Sequence, residues 1–173
     1  LEMPGYHFTP MATIDQDNTI TMNSPSKSFN IAGLGISNII TNNPEWRKLI
    51  DKVINLWEHC DLNPFGVLAL QAAYDEGEPW LNELKDYLHG NYKLSLDYFE
   101  NQLPQFPVSK LEGTYLVWVD VSALGMPSDE IEKSLIKNEK VWINGGTMYG
   151  RDGFVRINIA CPRAGLEEGL HRI

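Results

Sequence analysis

Ser24, Ser26 and Lys27, in the stretch TMNSPSKSFNIAGLG (residues 21–35), have the types and spacing for carbonyl chemistry. A lysine amine forms a Schiff base with an aldehyde when it is neutral, a state favoured by burial or by a neighbouring cation. The two hydroxyls beside it are donors suited to a phosphate. The same residues also suit a solvated lysine in a polar turn, the usual setting for lysine, and the stretch alone leaves both readings open. A second stretch, RDGFVRINIACPR (residues 151–163), carries Arg156 between Val155 and Ile157. In a strand this alternation puts the guanidinium on the face opposite its apolar neighbours, where its planar fork fits a carboxylate in a bidentate contact. The competing reading is a structural ion pair with one of the 23 acidic residues. Asn158, two positions on, shares the face of Arg156 and is placed to orient it, whereas Arg163, after Pro162, reads as structural.

Both stretches need elements to hold them. Leu1 to Asn23 lacks helical periodicity and, with Pro4, Gly5 and Pro10, reads as a loop followed by a short edge element. After Lys27 the β-branched Ile36, Ile39 and Ile40 predict a short buried strand. Asn43-Pro44 and Asn63-Pro64 are helix starts, with asparagine as the cap and proline in the first position. Trp46, Leu49, Ile50, Val53, Ile54 and Trp57 keep helical spacing to about His59, and Phe65 to Tyr74 forms a second helix that Gly77 stops. A long helix runs from Pro79 to about Gln102 despite Gly90. Arg156 needs a sheet, which Thr114 to Val121, Val141 to Ile143 and Phe154 to Ile159 supply. Between the last two, Gly145, Gly146 and Gly150 mark a loop of unusual backbone angles or close approach. Ser128 to Asn138 and Leu166 to Arg172 complete the helices. The arrangement is α/β, with a boundary at 102/103: residues 1–102 end in a long interdomain helix, and residues 103–173 form a small α/β unit.

Bulk properties exclude several classes of function. With 14 basic against 23 acidic residues and a net charge of −9, the chain has no basic field for nucleic acid. No apolar run reaches the roughly 20 residues that span a bilayer, and the opening residues do not form a secretory signal, so a soluble cytoplasmic protein is expected. Cys60 and Cys161 lie in no ligand spacing and read as reduced core thiols; the four histidines are scattered, and no metal site is visible.

The motifs SPSKSFNIAGLG, NPFG with QAAY, EGTYLVWVD, and W-x-N-x-G-x-x-Y-G-x-x-G-F-V-R-I-N-I-A-C-P-R follow one another in this order. Together they resemble the C-terminal half of the fold-type I pyridoxal-phosphate enzymes of the class I/II aminotransferase superfamily, and within it the branch of cystathionine β-lyases and related C–S lyases. The resemblance implies an aspartate aminotransferase-like fold: residues 1–102 close the large cofactor-binding domain and residues 103–173 form the small C-terminal domain. It implies pyridoxal 5'-phosphate as cofactor and an amino acid as substrate. Lys27 matches the imine-forming lysine that also moves protons, Ser24 and Ser26 the hydroxyls beside the cofactor phosphate, and Arg156 the clamp on the substrate carboxylate. Gly146, Gly150 and Gly153 match the loop at the active-site mouth. Where many relatives carry a phosphate-binding basic residue eight positions after the lysine, this chain has Gly35. The expected reaction is β-elimination from a sulfur amino acid to pyruvate, ammonia and a thiol, ranked above transamination by the same residues. The family's N-terminal motifs are absent, so the resemblance implies a fragment that is inactive without its N-terminal half, within an enzyme that forms a homodimer. The alternative outside enzymology is a non-catalytic α/β fragment that only self-associates.

Overall fold

The computed structural model describes residues 1–56, 58 and 61–173; the helical positions expected for Trp57 and His59 and the core thiol expected at Cys60 lie outside the described residues. The chain folds as two compact units, one of residues 7–83 and one of residues 1–6 with 84–173. These units divide at 83/84, inside the long helix expected to end at about residue 102. The reason is packing: the later turns of that helix supply Leu88, Asn91, Ser95 and Phe99, at spacings of three and four, to the interior of the C-terminal unit.

In the unit of residues 7–83, strand β1 (Thr21–Asn23) pairs antiparallel with β2 (Asn38–Ile40), with Met22 opposite Ile39. Ile36 is buried, but Ile39 and Ile40 are 45% and 52% exposed, so the strand expected to be buried is half open. Among the described residues no further strand joins this ladder, so one edge of each strand is unpaired. Helix α1 (Pro44–Leu56) starts where Asn43 accepts hydrogen bonds from the Glu45 and Trp46 amides at 3.0 and 3.2 Å. Its apolar stripe has the expected period, yet Leu49, Val53 and Leu56 are exposed. Helix α2 (Pro64–Glu76) is capped by Asn63, which accepts from the Phe65 amide at 3.1 Å.

Helix α3 (Glu78–Gln102) begins in this unit and ends in the other. The C-terminal unit is built on an antiparallel sheet in the order β3 (Leu116–Asp120), β5 (Phe154–Asn158), β4 (Asn144–Gly145). Val117, Val119, Val155 and Ile157 alternate onto one face and pack with Leu88, Phe99, Leu166 and Leu170, the last two from helix α5 (Arg163–His171). Residues 1–6 join this unit through the hydrogen bond from the Met3 amide to the Glu112 carbonyl, with Met3 itself buried. Two expectations shift here. Helix α4 (Ser128–Ser134) gives way to a π-helical turn over Leu135–Glu139, and the strand expected at Val141 to Ile143 pairs instead at Asn144–Gly145. No helix among the described residues is long and apolar enough to cross a membrane.

Candidate active site

Lys27 sits in the turn that follows β1, within the connection to β2. Its neighbours in sequence are anchors. Pro25 is fully buried, and Phe29 stacks on Trp80 with ring centroids 5.6 Å apart, beside Gly77, where a Cβ would lie 2.5 Å from the Phe29 ring. Between these anchors Lys27 is exposed and makes no hydrogen bond or ion pair among the described residues. The far side of the connection is pinned by α2, where a Cβ on Gly66 would approach the Leu34 carbonyl oxygen to 2.9 Å. The turn is therefore held firmly while its amine stays uncommitted.

The two serines divide their duties. The Ser24 hydroxyl donates to the Ile36 carbonyl at 2.7 Å and accepts the Ser26 amide at 3.1 Å, so its one proton already serves the loop. Ser26, whose Oγ lies 2.5 Å from that of Ser24, is left as the donor in this contact and can rotate toward another acceptor. Gly35 adopts φ +61°, a left-handed angle that closes the turn over Ala32–Leu34, and a Cβ there would meet no atom within 4 Å. Backbone conformation, not lack of room, is what favours glycine at this position. Ser24, Ser26 and Lys27 thus share one loop.

Arg156 belongs to the C-terminal unit. The register of the sheet sets Trp118, Arg156 and Asn144 side by side across β3, β5 and β4, on the face away from the core. Nη2 of Arg156 donates to Asn144 Oδ1 at 3.0 Å, and the guanidinium lies 4.1 Å from the centroid of the Tyr149 ring. Trp118 meets that ring edge-on at 5.6 Å. Nε of Arg156 is buried without a partner, and no carboxylate among the described residues pairs with the side chain. The guanidinium is packed against Tyr149 and Asn144 but keeps donors unspent. Asn158, expected to orient Arg156, instead accepts the Ala160 amide at 2.9 Å. The side chains in contact with the guanidinium are those of Asn144 and Tyr149, both in the glycine-rich motif.

The surroundings hold this face rigid. Glu132 accepts the Trp142 indole N–H at 3.1 Å and the Gly145 amide at 2.7 Å. A Cβ on Gly146 would lie 2.0 Å from the Arg151 carbonyl oxygen, so the backbone there is in close contact. Asp152 accepts the amide and hydroxyl of Ser128 at 2.8 and 2.9 Å and the Thr147 hydroxyl at 3.2 Å; these donors, with the Gly153 amide, hold its carboxyl down at about 2. Arg163 is structural, as expected. Its amide donates to the Tyr87 hydroxyl at 2.7 Å, its Nε donates to Asn91 at 3.2 Å, and its guanidinium fills the space over Gly90, where a Cβ would lie 2.5 Å from Nη2. Asn91, fully buried, also donates to the carbonyls of Ile159 and Cys161 at 2.9 and 3.0 Å. Cys161 is a free thiol whose pKa is pushed up by burial. Among the described residues no cluster of histidine, cysteine and carboxylate side chains is placed to hold a metal ion.

The sequence matches the aminotransferase class I and II family over residues 5–173. It is 36% identical to cystathionine beta-lyase PatB of Bacillus subtilis over the whole chain, covering 46% of that protein. It is also 36% identical to protein MalY of Escherichia coli, over 93% of the chain and 42% of that protein. The fold superimposes on the crystal structure of cystalysin from Treponema denticola, which contains a pyridoxal 5'-phosphate cofactor, with a TM-score of 0.95 at 36% identity; 99% of this chain and 45% of that one are covered. The chain therefore spans under half the length of each of these relatives.

Proposed function

This chain belongs to the aminotransferase class I and II family, and from that premise we propose that it is the C-terminal portion of a pyridoxal 5'-phosphate-dependent C–S β-lyase. The complete enzyme would cleave the Cβ–S bond of a sulfur amino acid, with water, to a thiol, pyruvate and ammonia. The observation that carries this reading is the likeness to cystathionine beta-lyase PatB along the entire chain. The residues present fit the cofactor in part. An amine with no internal partner suits its aldehyde, and the rotatable Ser26 hydroxyl beside it suits its phosphate. Gly35 contributes no charge, so the rest of the phosphate's charge would be met elsewhere in the enzyme. When bound, pyridoxal 5'-phosphate supplies an electron sink for charge that develops at the substrate Cα.

The chain's own residues then have distinct tasks. Lys27 would be the residue that holds the cofactor's aldehyde, and its free amine would be the base that takes the substrate Cα proton. Arg156 binds the substrate carboxylate through its unspent N–H groups. Ser26, with Ser24 tied to the Ile36 carbonyl, would donate to the phosphate. The exposed Leu49, Val53, Met22 and Ile40 support association with the remainder of the enzyme and with a second copy, in a cytoplasmic homodimer.

The test uses the full-length protein, with L-cystathionine as substrate and the visible absorbance of bound cofactor as a second readout. Lys27→Ala is expected to abolish the covalent cofactor band and to cut thiol release roughly 10²–10⁴-fold, the scale of a lost general base. A variant that keeps both, or a wild type that passes its amino group to a 2-oxo acid while releasing no thiol, would refute the assignment.

A further inference from the structure

We propose that Asn144 and Tyr149 are positioning residues that fix the guanidinium of Arg156 in the one orientation in which its free N–H groups meet a carboxylate; this rests on the clamp role given to Arg156 above. An arginine side chain is long and flexible, and a two-point contact requires its plane to be set before the ligand arrives. The sheet provides the starting geometry. Trp118, Arg156 and Asn144 occupy one row across three strands, so Asn144 is a lateral neighbour of Arg156 by register. Its Oδ1 accepts from Nη2 at 3.0 Å, which fixes rotation of the guanidinium within its plane.

Tyr149 fixes the plane itself. Its ring lies 4.1 Å from the guanidinium carbon, and Trp118 packs edge-on against the same ring at 5.6 Å. With one face stacked and one Nη2 proton used, Nε remains buried and unpartnered. A buried donor without an acceptor is costly, and a ligand oxygen would relieve it. The type of residue 144 matters as much as its place. Asparagine orients the cation without neutralising it, whereas an aspartate would take up the charge meant for the ligand. Asn144 and Tyr149 also flank Gly145 and Gly146, which are buried and close-packed, the first held by Glu132 at 2.7 Å and the second pressed against the Arg151 carbonyl. Both positioning side chains thus stand on one stiff segment.

The experiment is isothermal titration of the full-length holoenzyme with 3-(methylthio)propionate, a thioether carboxylate that has no amine to react at the cofactor. Methyl propyl sulfide, which lacks the carboxylate, is the control probe. For the carboxylate, Arg156→Ala is expected to raise Kd at least tenfold, and Asn144→Ala and Tyr149→Leu about three- to tenfold. Tyr149→Phe, which keeps the ring, should stay within about twofold of wild type, and Asn144→Asp should bind more weakly than Asn144→Ala. The sulfide should bind all variants alike, a split that general loss of structure would not produce. Wild-type affinity in both Asn144→Ala and Tyr149→Leu, with Arg156→Ala weakened, would overturn the positioning role and leave the clamp standing. Wild-type affinity in Arg156→Ala would overturn the clamp and the positioning role with it. Tyr149 is 39% exposed, so its leucine and phenylalanine variants read the proposal even if an Asn144 variant misfolds.

Discussion

Replacing Asn91 tests the account of how the C-terminal unit is closed. Its side chain is fully buried in α3 and joins three partners: the Ile159 and Cys161 carbonyls through Nδ2, and Arg163 Nε through Oδ1. Asn91→Ala strands the two carbonyls. Ile159 is fully buried, so its oxygen cannot turn to water, and a buried unsatisfied acceptor costs roughly 1–3 kcal/mol. Cys161 is only partly buried and Arg163 is exposed, so their losses are smaller. The expected destabilisation is about 2–4 kcal/mol, read as the change in unfolding free energy from urea titration of the full-length protein followed by far-UV circular dichroism. Asn91→Asp sharpens the test because it preserves shape and the acceptor for Arg163 but turns an oxygen toward two carbonyl oxygens. At pH 7 it should be at least as unstable as the alanine variant. Burial and the two facing carbonyls oppose a charge on that aspartate, whereas the Arg163 guanidinium bonded to it favours one. An alanine variant within about 0.5 kcal/mol of wild type, a difference within the reach of an ordinary surface substitution, would refute the reasoning. An aspartate variant as stable as wild type at pH 7 would do the same.

In the full-length enzyme, Arg156→Ala should raise KM for the amino-acid substrate at least tenfold, since a charge-assisted contact contributes about 1.5–3 kcal/mol; steady-state kinetics with an unchanged KM would remove the clamp. Asp152, held at about 2 against the usual 3.8, contributes stability that is fully present above pH 3.8 and lost as pH falls toward 2. Asp152→Ala should accordingly melt below wild type at pH 7, with the gap narrowing between pH 4 and 2. A gap that stays constant over that range in thermal melts would show that the carboxylate charge plays no part.

Local rules made much of this fold legible. The two Asn-Pro pairs start α1 and α2 because asparagine can cap and proline has no amide to lose, and alternation around Val155 and Ile157 located β5 and the outward direction of Arg156. What escaped were effects of partners distant in sequence. Gly90 looks like a weak point in a long helix, and only the guanidinium of Arg163, 73 positions on, explains it. Asn158 reads as the neighbour of Arg156 from spacing alone, but its side chain turns back on its own strand end, and the register sets Asn144 beside Arg156. The exposure of Ile39 and Ile40 could not be read from their types, because β-branched residues mark strands without saying whether a neighbour covers them. The loop of Lys27 was recognised by motif, yet the division of labour between Ser24 and Ser26 is set by the Ile36 carbonyl across the loop.

The row formed by Trp118, Arg156 and Asn144 has a consequence for altering this enzyme by directed evolution. Because β3 and β5 send Val117, Val119, Val155 and Ile157 to the opposite side, the outward-facing and core-forming positions are interleaved along the strands but do not share a layer. Libraries at 118, 144 and 149 can therefore vary the surroundings of Arg156 without opening cavities in the core. Changes at the intervening positions would draw on the stability reserve and leave selectivity untouched.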